Sequence, residues 1–280
     1  MSSILTNNGA MVALQTLKSV NDDLSKTQTS ISTGKEVGSA KDNSAVWAIS
    51  KTMESDIAGF EAIEEGLSIG EATVAVASAG AEQIVEKLTE MKELIVSAQS
   101  ENVDHEKIQT DITSKVEQIT SIIDAAQFNG ANLLKATVDG TATGLGVLAS
   151  LDRVGAGGAV SAVEISVASV DFETDLDLGS MTQITDSASA ASALGEIETY
   201  LQTAITGAAS LGADAARLED QSEFVSNLVD SMTLGVSTMT DTNMEEASAR
   251  LSALQTQQDL ATQSLTIANE APSSLLQLFR

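Results

Sequence analysis

Residues 60–98, FEAIEEGLSIGEATVAVASAGAEQIVEKLTEMKELIVSA, decide the fold. Stepping by three and four from Phe60 reaches Ile63, Leu67, Gly70, Val74, Ala77, Ala81, Ile84, Leu88, Met91, Ile95 and Ala98. Eleven of these twelve positions are apolar, against 42% for the chain as a whole, so the stripe comes from residue order and not from composition. Such a stripe is one face of a helix, and when sustained it is a coiled-coil seam. At about 1.5 Å per residue the helix is roughly 60 Å long.

Working outward, a second stripe runs Leu194, Ile197, Leu201, Ala204, Ala208, Leu211, Ala215, Leu218, Ser222, Val225, Val229, Met232, Val236, Met239, with thirteen of fourteen positions apolar. A shorter one is Ile108, Ile112, Lys115, Ile119, Ile122, Ala126. Towards the C-terminus comes Met244, Ala247, Leu251, Leu254, Gln258, Ala261, Leu265, Ala268. The N-terminal stripe, Ala10, Leu14, Leu17, Asn21, Leu24, Gln28, Ile31, is the weakest, and its polar members, like Gln258, trade stability for register. The seams are rich in Ala, which lets helices approach closely but buries little area at about 25 cal/mol per Å². Two-helix hairpins built this way need further partners.

Residues 136–186 differ. Glycines cluster, and Val163–Val167 reads as a short strand. Asp186-Ser187 is an N-cap for the helix that follows. The expected fold is therefore mainly α: a long coiled-coil helical bundle formed by the N- and C-terminal halves, with a small β-containing insertion in the middle.

Composition supports this and excludes much else. The chain has 280 residues, one proline (Pro272), no cysteine and 2% aromatics. Proline breaks helix interiors, so its scarcity permits long helices. Without cysteine there is no disulfide, thiolate metal site or Cys nucleophile. The net charge of −26 opposes nucleic acid and anionic membranes as partners. No apolar run is long enough to span a bilayer, and no cleaved secretory signal is visible.

The candidates for chemistry are few. His105, the only histidine, reads as a solvated loop residue between two stripes. Gly155–Gly158 lacks the Lys-Ser/Thr of a phosphate loop and reads as a flexible turn. Asp171, Glu173, Asp175 and Asp177 alternate; without the offsets of a helix-loop-helix calcium site they read as a solvated, acidic strand face. Glu61, Glu64 and Glu65 read as helix-surface charges with no pocket signal. No catalytic, cofactor-binding or metal-ligating set is assigned, and no cofactor is expected.

Four ordered motifs carry a resemblance. Ile31-Ser-Thr-Gly-Lys-Glu-Val-Gly-Ser-Ala-Lys-Asp-Asn-Ser-Ala-Val-Trp-Ala-Ile49, Phe128-Asn-Gly-Ala-Asn-Leu-Leu134, Leu211-Gly-Ala-Asp-Ala-Ala-Arg-Leu-Glu219 and Ile267-Ala-Asn-Glu-Ala-Pro-Ser-Ser-Leu-Leu-Gln-Leu-Phe-Arg280 resemble the conserved blocks of bacterial flagellins, and the opening Ser2-Ser-Ile-Leu-Thr-Asn-Asn8 and the short middle most resemble those of alphaproteobacteria. The resemblance covers residues 1–135 and 190–280. It implies a non-enzymatic subunit that polymerises into the flagellar filament for swimming. Residues 1–42 and 243–280 would form an inner coiled-coil domain lining the channel, 43–135 and 187–242 a helical rod, and 136–186 a small outer insertion. Leu14, Leu17, Leu24, Ile31, Leu251, Leu254, Leu265, Ala268, Leu275 and Leu278 would lie at subunit interfaces.

The resemblance further implies unfolded export through the flagellar type III apparatus to an extracellular filament. Its partners would be other copies or other flagellins, the export apparatus and chaperone, the filament cap and the junction protein at the base, with no nucleic acid and no membrane. Thr89-Glu90 stands where many flagellins carry a Gln-Arg pair read by an innate-immune receptor, which implies weak or no recognition. The hook–filament junction protein, which shares related terminal helices, is the alternative; a cytoplasmic coiled-coil adaptor is a second. A flagellin carrying an inserted zinc protease needs His-Glu-x-x-His, which a single histidine rules out.

Overall fold

The structure, a computed structural model, describes residues 6–153 and 160–278, and side chains as far as Glu270. Its elements in chain order are α1 (Asn8–Thr33), α2 (Ser44–Ser97), α3 (His105–Ala125), β1 (Gly144–Arg153), β2 (Val160–Ala168), α4 (Phe172–Asp175), α5 (Ser187–Thr240) and α6 (Met244–Leu278). The mainly helical fold with a small central sheet matches the expectation. The chain divides into two compact units: residues 1–55 with 231–280, and residues 56–230.

In the unit of residues 56–230, α2 and α5 pair antiparallel. Lys92 of α2 bridges to Glu198 of α5, while Glu64 and Glu71 share a cleft with Glu219 and Glu223. All twelve positions of the Phe60–Ala98 stripe are buried. In α5 the stripe is split: Ile197, Ala204, Leu211, Leu218 and Val225, seven apart, are fully buried, and the positions between them are half-buried. The difference follows from partner number. α5 meets α2 along one edge, whereas α2 is covered from a second side as well.

That second cover is composite. α3 runs back along α2: the side chain of Glu90 accepts from Lys115, and Gly80 faces Ile122, Ala126 and Leu134. After α3 the chain turns at Phe128–Ala131, whose backbones exchange two 2.9 Å hydrogen bonds around Asn129 (φ 48°) and Gly130 (φ 85°). Positive φ at both central residues is the type I′ hairpin geometry that Asn-Gly favours. β1 then takes over the place of α3 on α2. Val147 lies on Gly70, Leu151 on Gly59, and Arg153 pairs with Asp56. The rises agree: six strand residues span about 20 Å at 3.3–3.4 Å each, and fourteen helical residues about 21 Å at 1.5 Å each.

β1 and β2 form an antiparallel pair with a register shift between Leu148 and Ser150. The expected strand Val163–Val167 falls within β2, and Ile165 and Val167 point inward while Glu164 and Ser166 are exposed. Behind the hairpin, Phe172 is fully buried against Gly207 of α5. This overturns the acidic strand face expected at 171–177. Asp171 instead caps α4, its side chain accepting from Thr174 N at 3.0 Å, and Phe172, Leu176 and Leu178 are buried with the carboxylates outside. The buried Phe172, not the alternating charges, sets the local conformation. Gly155–Gly158 lie outside the described residues.

The expected cap at Asp186 is present. Its carboxylate accepts from Ser189 N at 2.7 Å, and Ser189 Oγ accepts from Asp186 N at 3.0 Å, a reciprocal arrangement that satisfies orphan amides. The backbone amide of Ser189, first among several hydrogen bonds, holds the Asp186 carboxyl below its ordinary value. His105 is corrected. It is the first residue of α3, half-buried, with Nε2 2.9 Å from the carbonyl oxygen of Ala98 at the end of α2. Unsatisfied carbonyls at a helix end recruit such a partner.

In the other unit, α1 and α6 pack antiparallel. Asn7 Nδ2 donates to the Ala268 carbonyl at 2.7 Å, and Gln258 Nε2 donates to Asn21 Oδ1 at 2.7 Å. Asn21 and Gln258, both expected in seams, thus bond to each other, with Asn21 exposed at the seam's edge. Near the other end, Thr242 N donates to the Gly34 carbonyl, and Glu36 N and Val37 N to that of Thr240. Gly34 has φ 71°, the left-handed conformation that ends α1.

Candidate assembly surface

The ten residues expected at subunit interfaces all lie on α1 and α6. Leu17, Leu24 and Ile31 on α1 and Leu251, Leu265 and Ala268 on α6 are half-buried, and Leu254 is buried. Leu275 and Leu278 lie, as side chains, outside the described residues.

Leu14 departs from the pattern. It is 58% exposed, and the side of α1 that meets α6 carries Ala10, Ala13, Leu17, Val20, Leu24, Thr27 and Ile31. Every second position of the expected N-terminal stripe is therefore displaced by one, from Leu14, Asn21 and Gln28 to Ala13, Val20 and Thr27. Small Ala13 and Thr27 permit close approach to α6, and the Thr27 hydroxyl is satisfied by its own helix, donating to the Asp23 carbonyl at 2.9 Å. At the start of α6, Met244 is likewise exposed rather than in the seam.

This displacement leaves large apolar side chains outside. Met11, Val12 and Leu14 on α1 and Leu260 and Ile267 on α6 are each at least 58% exposed. A two-helix layer buries one stripe per helix, so any second apolar stripe faces outward. Leu14 is among the residues expected at an interface; Met11, Val12, Leu260 and Ile267, which were not singled out by the seam periodicity, share its exposure. A second stripe beside the seam was the signal available for them.

Among the described residues no group of three or more His, Asp or Glu is placed to hold a metal, and no helix is long and apolar enough to cross a membrane. A cleft of about 590 Å³ lies between α1, α6 and the connection before α2, with Lys26, Arg250, Glu36 and Asp42 among its walls. Glu64, expected as a helix-surface charge, borders a shallow open cleft of about 380 Å³ with Glu71, Glu219 and Glu223.

Comparison with known proteins agrees with the long paired helices. Residues 4–139 match the bacterial flagellin N-terminal helical region, and residues 194–279 the C-terminal one. The chain is 40% identical to a flagellin of Brucella melitensis over the whole of both chains. It is 38% identical to flagellin FljK of Caulobacter vibrioides over all of this chain and 99% of that one. Flagellin A of Rhizobium meliloti is 32% identical over the full length of both. A solved Bacillus cereus flagellin aligns with a TM-score of 0.48 at 17% identity, over 57% of this chain and 88% of that one. The chain belongs to the bacterial flagellin family. It is a structural subunit that polymerises with itself into the flagellar filament, an extracellular structure, and it is not an enzyme. Nothing in the comparisons favours the junction-protein reading.

Proposed function

We propose that polymerisation proceeds by burying the outward apolar stripes of α1 and α6 against neighbouring copies. The observation that carries this is the exposure of Met11, Val12, Leu14, Leu260 and Ile267 on the same helix pair that holds the expected interface residues Leu17, Leu24, Ile31, Leu251, Leu254, Leu265 and Ala268. Exposed apolar area of this kind marks an interaction surface. Residues 1–42 and 243–280 form the inner layer of the filament, 43–135 with 187–242 the rod, and 136–186 the outer insertion. Leu275 and Leu278 join the inner contacts.

The chain reaches the filament as a secreted protein, exported unfolded through the flagellar type III apparatus with its chaperone, and folds under the filament cap above the junction protein. The absence of disulfides suits an unfolded cargo. Innate-immune recognition is weak, because Thr89 and Glu90 replace the Gln-Arg pair and Glu90 is already engaged by Lys87 and Lys115. The test is seeded growth of the full chain with Met11, Leu14 and Leu260 replaced by Ser. Loss of growth with unchanged monomer helicity supports the reading, and growth at the wild-type rate contradicts it. A receptor reporter assay responding at ordinary flagellin doses would contradict the immune reading.

A further inference from the structure

Charge is distributed unevenly along this chain. Residues 56–230 hold 30 acidic and 7 basic residues, a net −23, whereas the remainder holds 10 and 7, a net −3. In the acidic unit each cation is scarce, and six of the seven are used internally: Lys87 and Lys115 on Glu90, Lys92 on Glu198, Lys107 on Asp104, Lys135 on Asp124 and Arg153 on Asp56. The seventh, Arg217, is exposed on α5 and has no ion pair or hydrogen bond within the described residues. Its guanidinium presents a planar donor fork suited to carboxylates.

The complement lies on the same unit. Glu64 and Glu71 of α2 and Glu219 and Glu223 of α5 converge on one cleft, and none of these carboxylates has a cationic partner among the described residues. At about 100° per residue, the cleft residues of α5, Glu219, Ser222, Glu223 and Ser226, centre about 190° from Arg217 around the helix. The buried Leu218 and Val225 lie between them, about 80–100° from Arg217. The unpaired cation and the uncompensated acidic cleft therefore occupy opposite flanks of the same packed helix. Two different, complementary patches on opposite sides make a head-to-tail contact, the kind that propagates into an open helical array.

We propose that Arg217 of one copy seats in the acidic cleft between α2 and α5 of the neighbouring copy. This rests on the filament reading and adds a specific charge pairing to it. The contact gives register to a side-by-side association that net charge opposes.

The test is the critical concentration for growth of the full-length chain on sheared filament seeds, with far-UV circular dichroism confirming equal helicity of the monomers. Arg217→Glu raises the critical concentration about tenfold or more. Arg217→Gln, which keeps length and helix propensity, gives a smaller rise in the same direction. Glu223→Arg also raises it, although the chain becomes less negative and relief of general repulsion alone would lower it. The double variant R217E/E223R, with wild-type net charge, returns to within about threefold of wild type. Growth of Arg217→Glu like wild type, easier growth of Glu223→Arg, or a double variant no better than the singles would each overturn the pairing. Failure of the wild-type chain to extend seeds would instead strike at the filament reading itself.

Discussion

Individual glycines show how close packing outweighs helix propensity. Gly207 lies in the middle of α5, where alanine normally gains about 1 kcal/mol over glycine. A methyl there would sit 2.6 Å from Val170 and 2.7 Å from the Phe172 ring. Overpacking costs about 1–3 kcal/mol, so the clash wins and Gly207→Ala lowers the thermal midpoint. Gly212, on the same helix, has nothing within 4 Å, so Gly212→Ala raises it by up to about 1 kcal/mol of stability. Melting the two variants in parallel by circular dichroism checks the opposite signs.

Carboxylates supply the pH dependence. Glu90 is held below its ordinary value by hydrogen bonds from Lys115 and then Lys87, and Asp104 by the Lys107 amide before other groups. Because these folded-state values are depressed, their contribution is fully present above the unfolded carboxylate range of about 4 and is lost as pH falls through the lower folded values. Thermal stability is therefore expected to decline progressively below about pH 4, and a melt series across that range measures it.

At the scale of elements, legibility followed the number of partners. The Phe60–Ala98 stripe was readable throughout because α2 is covered by α5 on one side and by α3 and β1 on another, so every seam position is buried. The α1 stripe was only half readable. Ala10, Leu17, Leu24 and Ile31 belong to both possible alternations, and choosing Leu14 over Ala13 follows hydrophobicity where the close α1–α6 approach follows size. The Asp171–Asp177 run is not legible from its charges, because alternation alone does not separate a strand from a capped turn anchored by one buried Phe. Nothing in the periodicity showed that β1 continues the layer begun by α3, since that depends on glycines at positions 59 and 70 of another element.

Leu254 tests the α1–α6 pair as an element. It is only 8% exposed, and Leu254→Asp places a carboxylate in that seam, beside a cleft whose walls include Lys26 and Arg250. Burying a charge in an apolar seam is costly, and a carboxylate that turns out toward those cations opens the seam instead, so seeded growth is expected to stop. Sedimentation after seeding checks this; normal filaments from the variant would contradict the packing described.

At the scale of the whole molecule, the net charge sits almost entirely on residues 56–230. The terminal helices are nearly neutral, so their apolar stripes meet with little repulsion, while the acidic unit opposes crowding unless screened. Screening length falls from about 30 Å at 0.01 M salt to about 8 Å at 0.15 M. Seeded growth is therefore expected to rise steeply with salt over that interval, as light scattering would show. Growth independent of salt there would mean that repulsion between the acidic units does not limit assembly.

Burial of the outward stripes on assembly is tested by a helical reconstruction, at side-chain resolution, of filaments grown from this chain alone. Met11, Val12, Leu14, Leu260 and Ile267, exposed in the single subunit, are predicted to be buried against neighbouring copies. Filaments in which these side chains still face solvent would contradict assembly through the α1 and α6 stripes.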